Sequence, residues 1–452
     1  MNLPLRIEAV RESLRGSLWF LPSVAVATAL VAGVVLARVE VPEAVFYARL
    51  LFGGGPEGAR GVLEVIAGST VTVTGLTFSL TVVALQMAAG QYSPRVLRNF
   101  LRDRGNQVVL ATFLGTFAFS IVVLRTIRSG DEQGGAFVPQ LAVTVALLLM
   151  LASLSALVYF IHHLTQSIRV EEIMHKVEGD TLDCIERNAA DGDGDGGEFE
   201  PDDLPEPPPH ALELQVRRSG RLQAVKTGVL MRLATERDLV IRVRPTVGES
   251  LTEGTVLAWV WSPNGDQRPD EDGALRDGFR EGLQVGNERT LQQDVAFGVR
   301  QLVDIAVRSM SPGINDPATA VMAIGHVSAV LAGLQARSLG DRLHRDGDGR
   351  ARVAVPWPDY DDYVALACAQ IAHYGAGDVP VVRRLLQLLA ETGRGAVTER
   401  RRRAVLREIN RVVDEAEAAL ELLWARTAVA EAAAAARAAA RGAAVPVARP
   451  IL

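Results

Sequence analysis

Residues 65–94 read VIAGSTVTVTGLTFSLTVVALQMAAGQYSP, thirty consecutive positions without a charged side chain. A hydrocarbon core about 30 Å thick takes about 20 mostly apolar helical residues to cross. The stretch therefore predicts a membrane span at about residues 62–87. Three other stretches read the same way, giving spans at about 16–37, 108–127 and 136–162. The first begins with the interfacial aromatics Trp19 and Phe20, and the last closes with Tyr159 and Phe160. Arg6, Arg11 and Arg15 precede the first span as they would a signal peptide, but its apolar length exceeds an h-region and three more spans follow.

The rest of the 452-residue chain has a different character. Residues 1–170 hold 13 Lys+Arg and 9 Asp+Glu, a net of +4, and residues 171–452 hold 34 and 44, a net of −10. A wholly soluble chain and a wholly buried one are both excluded. Only Cys184 and Cys368 occur, with no CxxC, which excludes a disulfide framework and a cysteine-built zinc site. The acidic soluble part argues against a nucleic-acid partner. The fold expected is a mixed membrane protein. A four-helix transmembrane domain (1–170) leads into a helical extension and acidic linker (171–210). A small β-barrel-like cytoplasmic domain (211–265), an α-helical cytoplasmic domain (275–441) and a tail (442–452) follow.

Basic residues set orientation. Arg6, Arg11, Arg15, Arg95, Arg98, Arg102 and Arg104 fall on one side, and Arg38, Arg49, Arg60, Arg125 and Arg128 on the other. Seven against five favours cytoplasmic N- and C-termini in a bacterial inner membrane. In the loop after the second span, Ser93-Pro94 suits a helix start. Arg95, Arg98 and Arg102 would then share a face toward lipid phosphates, although a plain charged turn fits as well.

Thr70, Thr74, Thr77 and Thr81 are spaced four, three and four apart, which stacks their hydroxyls along one face of the second span. Such a stripe reads either as the lining of a polar path or as close helix packing with hydroxyls bonded back to the preceding turn. No charged residue interrupts the middle of any span, so a proton relay has no candidate.

Residues 191–209, DGDGDGGEFEPDDLPEPPP, form a linker by composition; the start of an EF-hand loop is there, but the exit helix is blocked by prolines. From Ala211 to Trp261, short alternating runs predict strands, and their succession is similar to the small β-barrel of biotinyl and lipoyl carrier domains without the modifiable hairpin. After Asn287 helical periodicity dominates. Ser311-Pro312-Gly313-Ile314-Asn315-Asp316-Pro317 predicts a rigid corner, with a type II turn at Pro312-Gly313 and an N-cap at Asp316 before Pro317. The corner reads as structural, or as a ligand site at Asn315, Asp316 and the free helix amides. Further helices are expected at about 361–373, 380–391 and 398–441, the last with a heptad seam along Val405–Leu423.

GSTVTVTGLTFSLTVVALQMAAGQYSPRVLRNFLRDRG, SGRLQAV and SPGINDPATA together resemble a bacterial family of predicted membrane proteins, domain of unknown function 2254. The resemblance implies an integral membrane protein with this domain order, and no activity, substrate or cofactor comes with it. There is no GxxxxGK[ST], HExxH or GxSxG. His162, His163 and His175 read as interfacial polar residues, and His326 and His373 stand alone on helices. No enzyme, cofactor or metal is expected. The function expected is an oligomeric channel or transport-type protein with cytoplasmic sensing or gating domains. Its partners would be the bilayer, further copies of the chain and an unidentified ligand or ion. The alternative is a membrane-anchored scaffold or sensor.

Overall fold

The computed structural model describes residues 19–39, 51–91, 104–129, 136–167, 169–188, 206–263, 269–270 and 272–442. The chain divides into two compact units, Met1–Ile173 and Met174–Leu452. The 92–103 loop with Arg95, Arg98 and Arg102 lies outside the described residues, as does most of the acidic linker.

The first unit contains α1 (Phe20–Leu36), α2 (Pro56–Gln91), α3 (Arg104–Thr126) and α4 (Gln140–Ser167). Three glycines at 53–55 break the chain before α2, and Pro56 opens it at a position where a missing N–H costs nothing. Pro56–Met87, Arg104–Thr126 and Gln140–Gln166 are long and apolar enough to cross a membrane. The first expected span forms a shorter helix of 17 residues, about 25 Å at 1.5 Å per residue.

α3 is the central helix. Ala59, Leu63 and Ile66 of α2 share one apolar cluster with Phe119 and Val123 of α3 and with Ala142, Val143 and Ala146 of α4. Val73, Val109, Phe113 and Phe160 make a second cluster. Numbers rise along α2 and α4 as they fall along α3, so both run antiparallel to it. α1 closes against α3, where a Cβ on Gly33 would sit 3.0 Å from Val122 Cγ1.

A fourth helix of the described residues that meets the length and composition of a span is Pro317–Gln335, in the second unit. Most of its apolar side chains are enclosed there: Ala320, Ala323, Ile324, Val327, Val330, Leu331 and Leu334 are all fully buried, and Met322 is exposed. A helix apolar nearly all round is what the centre of a helical core requires.

The second unit opens with α5 (Val170–Asn188), most of which belongs to it. β1 (Leu212–Gln215), β2 (Gly220–Val225), α6 (Thr227–Glu236), β3 (Val240–Val243), β4 (Ser250–Leu251) and β5 (Val256–Trp261) follow. Next come α7 (Gly273–Gly282), β6 (Leu283–Gly286), α8 (Val295–Ser309), α9 (Pro317–Gln335), β7 (Arg342–Arg345) and β8 (Ala351–Val355). α10 (Tyr360–Gly375), α11 (Val379–Arg394), α12 (Glu399–Ala419) and α13 (Leu423–Ala440) complete it.

The strands form a five-stranded sheet, β1-β5-β3-β8-β7, and a three-stranded one, β4-β2-β6. These pairings describe two open sheets, where the strand pattern had suggested a small barrel. The reason is the source of the strands: β8 pairs in parallel with β3 although it lies beyond α9. α6 and α7 cover this core through Leu230, Leu233, Leu275 and Phe279.

Two other expectations are corrected. The single helix expected over 398–441 is a hairpin, broken between Ala419 and Leu423. Of the seam residues, Val405, Ile409, Val412 and Ala416 are buried within this chain, whereas Ala419 and Leu423 are exposed. At the Ser311–Pro317 corner Gly313 does not take a positive φ, as a type II turn requires; Asn315 does, at 50°. Asn315 thus ends the helical turn in the left-handed conformation, a common role for asparagine where glycine is absent.

Candidate functional site

The threonine stripe of α2 faces into the bundle: Thr70 and Thr77 are buried, and Thr74 and Thr81 half-buried. Three of the hydroxyls donate to their own helix, Thr70 to Ile66 O at 2.7 Å, Thr74 to Thr70 O at 2.6 Å and Thr81 to Thr77 O at 2.8 Å. Thr77 Oγ1 is buried and has no hydrogen-bond partner among the described residues. The stripe is therefore back-bonded at three positions and open at one.

α3 contributes a second set of polar groups that sequence reasoning passed over. Asn106, Gln107, Thr116 and Ser120 are all buried. Thr116 Oγ1 lies 3.0 Å from Ser153 Oγ of α4, a hydroxyl pair inside the bundle. Asn106 Oδ1, Gln107 Nε2 and Ser120 Oγ have no hydrogen-bond partner among the described residues. From Asn106 to Ser120 the helix rises about 21 Å, most of the thickness of a hydrocarbon core. A signal was present in the sequence: Asn106, Val109, Phe113, Thr116, Ser120 and Val123 step by three and four, which places three polar residues on the same face as three apolar ones. The span lacked the dense hydroxyls of α2 and so drew no notice.

The Ser311–Pro317 corner is built for capping. Asp316 accepts from Thr319 N at 3.1 Å and from Thr319 Oγ1 at 2.6 Å. These bonds, the hydroxyl's first, hold its carboxyl below the usual carboxylate range. Ser311 Oγ donates to Arg308 O, and Pro312, Gly313, Ile314 and Asn315 are exposed. The carboxylate that would meet a ligand is already engaged with its own helix.

The structure brings together one set that the sequence kept apart. His326, alone on α9, lies against Glu178 of α5, with Nδ1 2.5 Å from Oε2. His175, one turn earlier on α5, completes a group whose ligand atoms all lie within 4.8 Å of one another. The His175–Glu178 spacing of three was legible as a shared helix face, but nothing in the sequence pointed to residue 326. His163 stacks on Tyr159 at 5.4 Å.

No solved structure matches this chain. Two relatives, from Mycobacterium bovis and Mycobacterium tuberculosis, are 40% identical over 416 residues, covering 91% of this chain and 78% of theirs; both are described as uncharacterized proteins. A family described as predicted membrane protein, DUF2254, matches residues 15–391. With four apolar helices in the first unit and that match across most of its length, the chain belongs to the DUF2254 family of predicted membrane proteins.

Proposed function

We propose that the chain is a non-enzymatic, homo-oligomeric protein of the channel or transport type. It would sit in the bacterial inner membrane with both termini cytoplasmic, its second unit sensing or gating. The observation that carries this reading is the set of four buried polar atoms, on Thr77, Asn106, Gln107 and Ser120, that have no partner among the described residues. In hydrocarbon an unpaired polar group costs several kcal/mol, and a water molecule or an ion relieves that cost. Along α3 the apolar pair Val109 and Phe113, packed with Phe160, stands between Asn106–Gln107 and the Thr116–Ser153 pair. A hydrophobic constriction of this kind closes a path by excluding water.

Oligomerisation is supported by the opposite face of α2. Gly61, Gly68, Thr72, Gly75 and Ser79 are exposed there, small residues that let another helix approach closely. The scaffold reading draws support from the back-bonded threonines, which need no water. Flux from liposomes holding the purified protein separates the two. Phe113→Ala should raise ion or water leakage, and Thr77→Val and Thr74→Val should lower any basal flux. Liposomes that stay tight to K⁺, Cl⁻ and protons with both wild type and Phe113→Ala would leave the scaffold reading standing.

A further inference from the structure

We propose that His175, Glu178 and His326 form a binding site for a divalent transition-metal cation that clamps α5 to α9. Two imidazoles and one carboxylate are the ligand set that zinc and its neighbours take, with a further position left for water. His175 and Glu178, three residues apart on α5, project from one face of the helix. His326 meets them from α9 and is already in contact with Glu178.

The surroundings hold this arrangement in place. Met174 and Val177, beside the two α5 ligands, are buried, as is Val327 beside His326. Two turns further along α9, a Cβ on Gly333 would sit 2.7 Å from Leu182 Cδ2, so the two helices run in direct contact. Glu178 and His326 are each 19% exposed, and His175 is exposed, which leaves a way in from solvent. Ligands about 2.0–2.1 Å from a tetrahedral ion stand about 3.3 Å from one another. The closest pair at 2.5 Å must open slightly, and the widest at up to 4.8 Å must close, by rotation of long or exposed side chains. The ion would take the place of the direct contact between His326 and Glu178.

The consequence is mechanical. α4 ends at Ser167 and α5 begins at Val170. The helix that follows the last span would be tied to the central helix of the second unit by a bond that depends on metal supply. The inference stands whether or not the bundle conducts.

Zn²⁺ alone is the probe, titrated into the full-length protein in detergent micelles against a chromogenic chelator. Wild type should bind one ion per chain at micromolar or lower concentration, and its melting temperature should rise with Zn²⁺. Glu178→Gln, His326→Gln and His175→Gln should each weaken binding about tenfold or more and abolish the thermal shift. His373→Gln is the control, because that histidine lies on the surface with a single carboxylate, Glu415, 3.3 Å away and is not part of the cluster. His175 is exposed, so its variant folds even if a change at His326 does not. No Zn²⁺ bound by wild type overturns the proposal, as does stoichiometric binding of equal affinity in Glu178→Gln and His175→Gln.

Discussion

Arg401 is fully enclosed, and its guanidinium donates to Gln335 O and Arg337 O, both at 2.8 Å, while lying 4.8 Å from the Tyr360 ring centroid. The two carbonyls belong to the C-terminal end of α9, where helix groups lack partners and the dipole favours a cation. Arg401→Met should destabilise the protein by about 2–4 kcal/mol, since each lost charge-assisted bond is worth about 1.5–3. Arg401→Lys should fall between, because an ammonium lacks the fork that serves both oxygens. Denaturant unfolding of a methionine variant as stable as wild type would sink this account. Asp316 makes a smaller contribution: Asp316→Ala should cost about 1 kcal/mol through the lost cap. Its carboxyl is held low in the folded state, so the wild-type advantage is full above the usual carboxylate pKa and fades as pH falls through the depressed one. Melting curves of the two proteins should thus converge in acid and separate at neutral pH. The caps at Asp316, Asp359 and Asp378 were legible in the sequence, because an N-cap acts within three residues. Arg401 was not: it sits in Glu399–Arg403, a charge run like any solvated face, and only tertiary packing selects one arginine of four.

Helix approach distances decide how firmly α5 docks. An added Cβ at Gly298 of α8 would lie 2.0 Å from Thr181 Oγ1 of α5, a hydroxyl that is itself buried. Gly298→Ala should therefore cost about 1–3 kcal/mol through overpacking; an unchanged melting temperature would show that α5 moves freely. In the membrane unit, Thr77→Val supplies a second readout besides flux. If water reaches the hydroxyl, valine should destabilise slightly. If the hydroxyl is dry, removing an unpaired polar group should stabilise by about 1 kcal/mol or more. The long spans were legible because length and hydropathy suffice to mark them. β6 and the β7–β8 hairpin were missed for an opposite reason: each strand is five residues or fewer and lies among strongly helical patterns. The hairpin of α12 and α13 was read as one helix because Leu420-Glu421-Leu422 contains neither glycine nor proline.

Across the whole molecule, topology and assembly yield the remaining tests. A reporter fused after Leu452 should be active only inside the cell; activity outside would reverse the orientation. Cys184 and Cys368 are both buried, so an introduced surface cysteine would be the accessible one. Ser79→Cys should cross-link copies in membranes on mild oxidation, and Leu151→Cys, exposed on α4, should not. Equal cross-linking at both positions would remove the small-residue face as the assembly surface.

The parallel pairing of β3 with β8 also bears on how the chain matures. Arg352 on β8 holds Asp238, just before β3, at 2.7 Å across 114 residues of sequence. While the ribosome is still making the residues between, β3 has one neighbour, β5, and an open edge on its other side. An open edge recruits stray strands, and a nascent chain with its spans already threaded cannot diffuse away from its neighbours. Late closure of this sheet therefore makes the translation interval between residues 243 and 351 the vulnerable one. A nonsense mutation within it should leave inserted helices attached to an aggregation-prone stub.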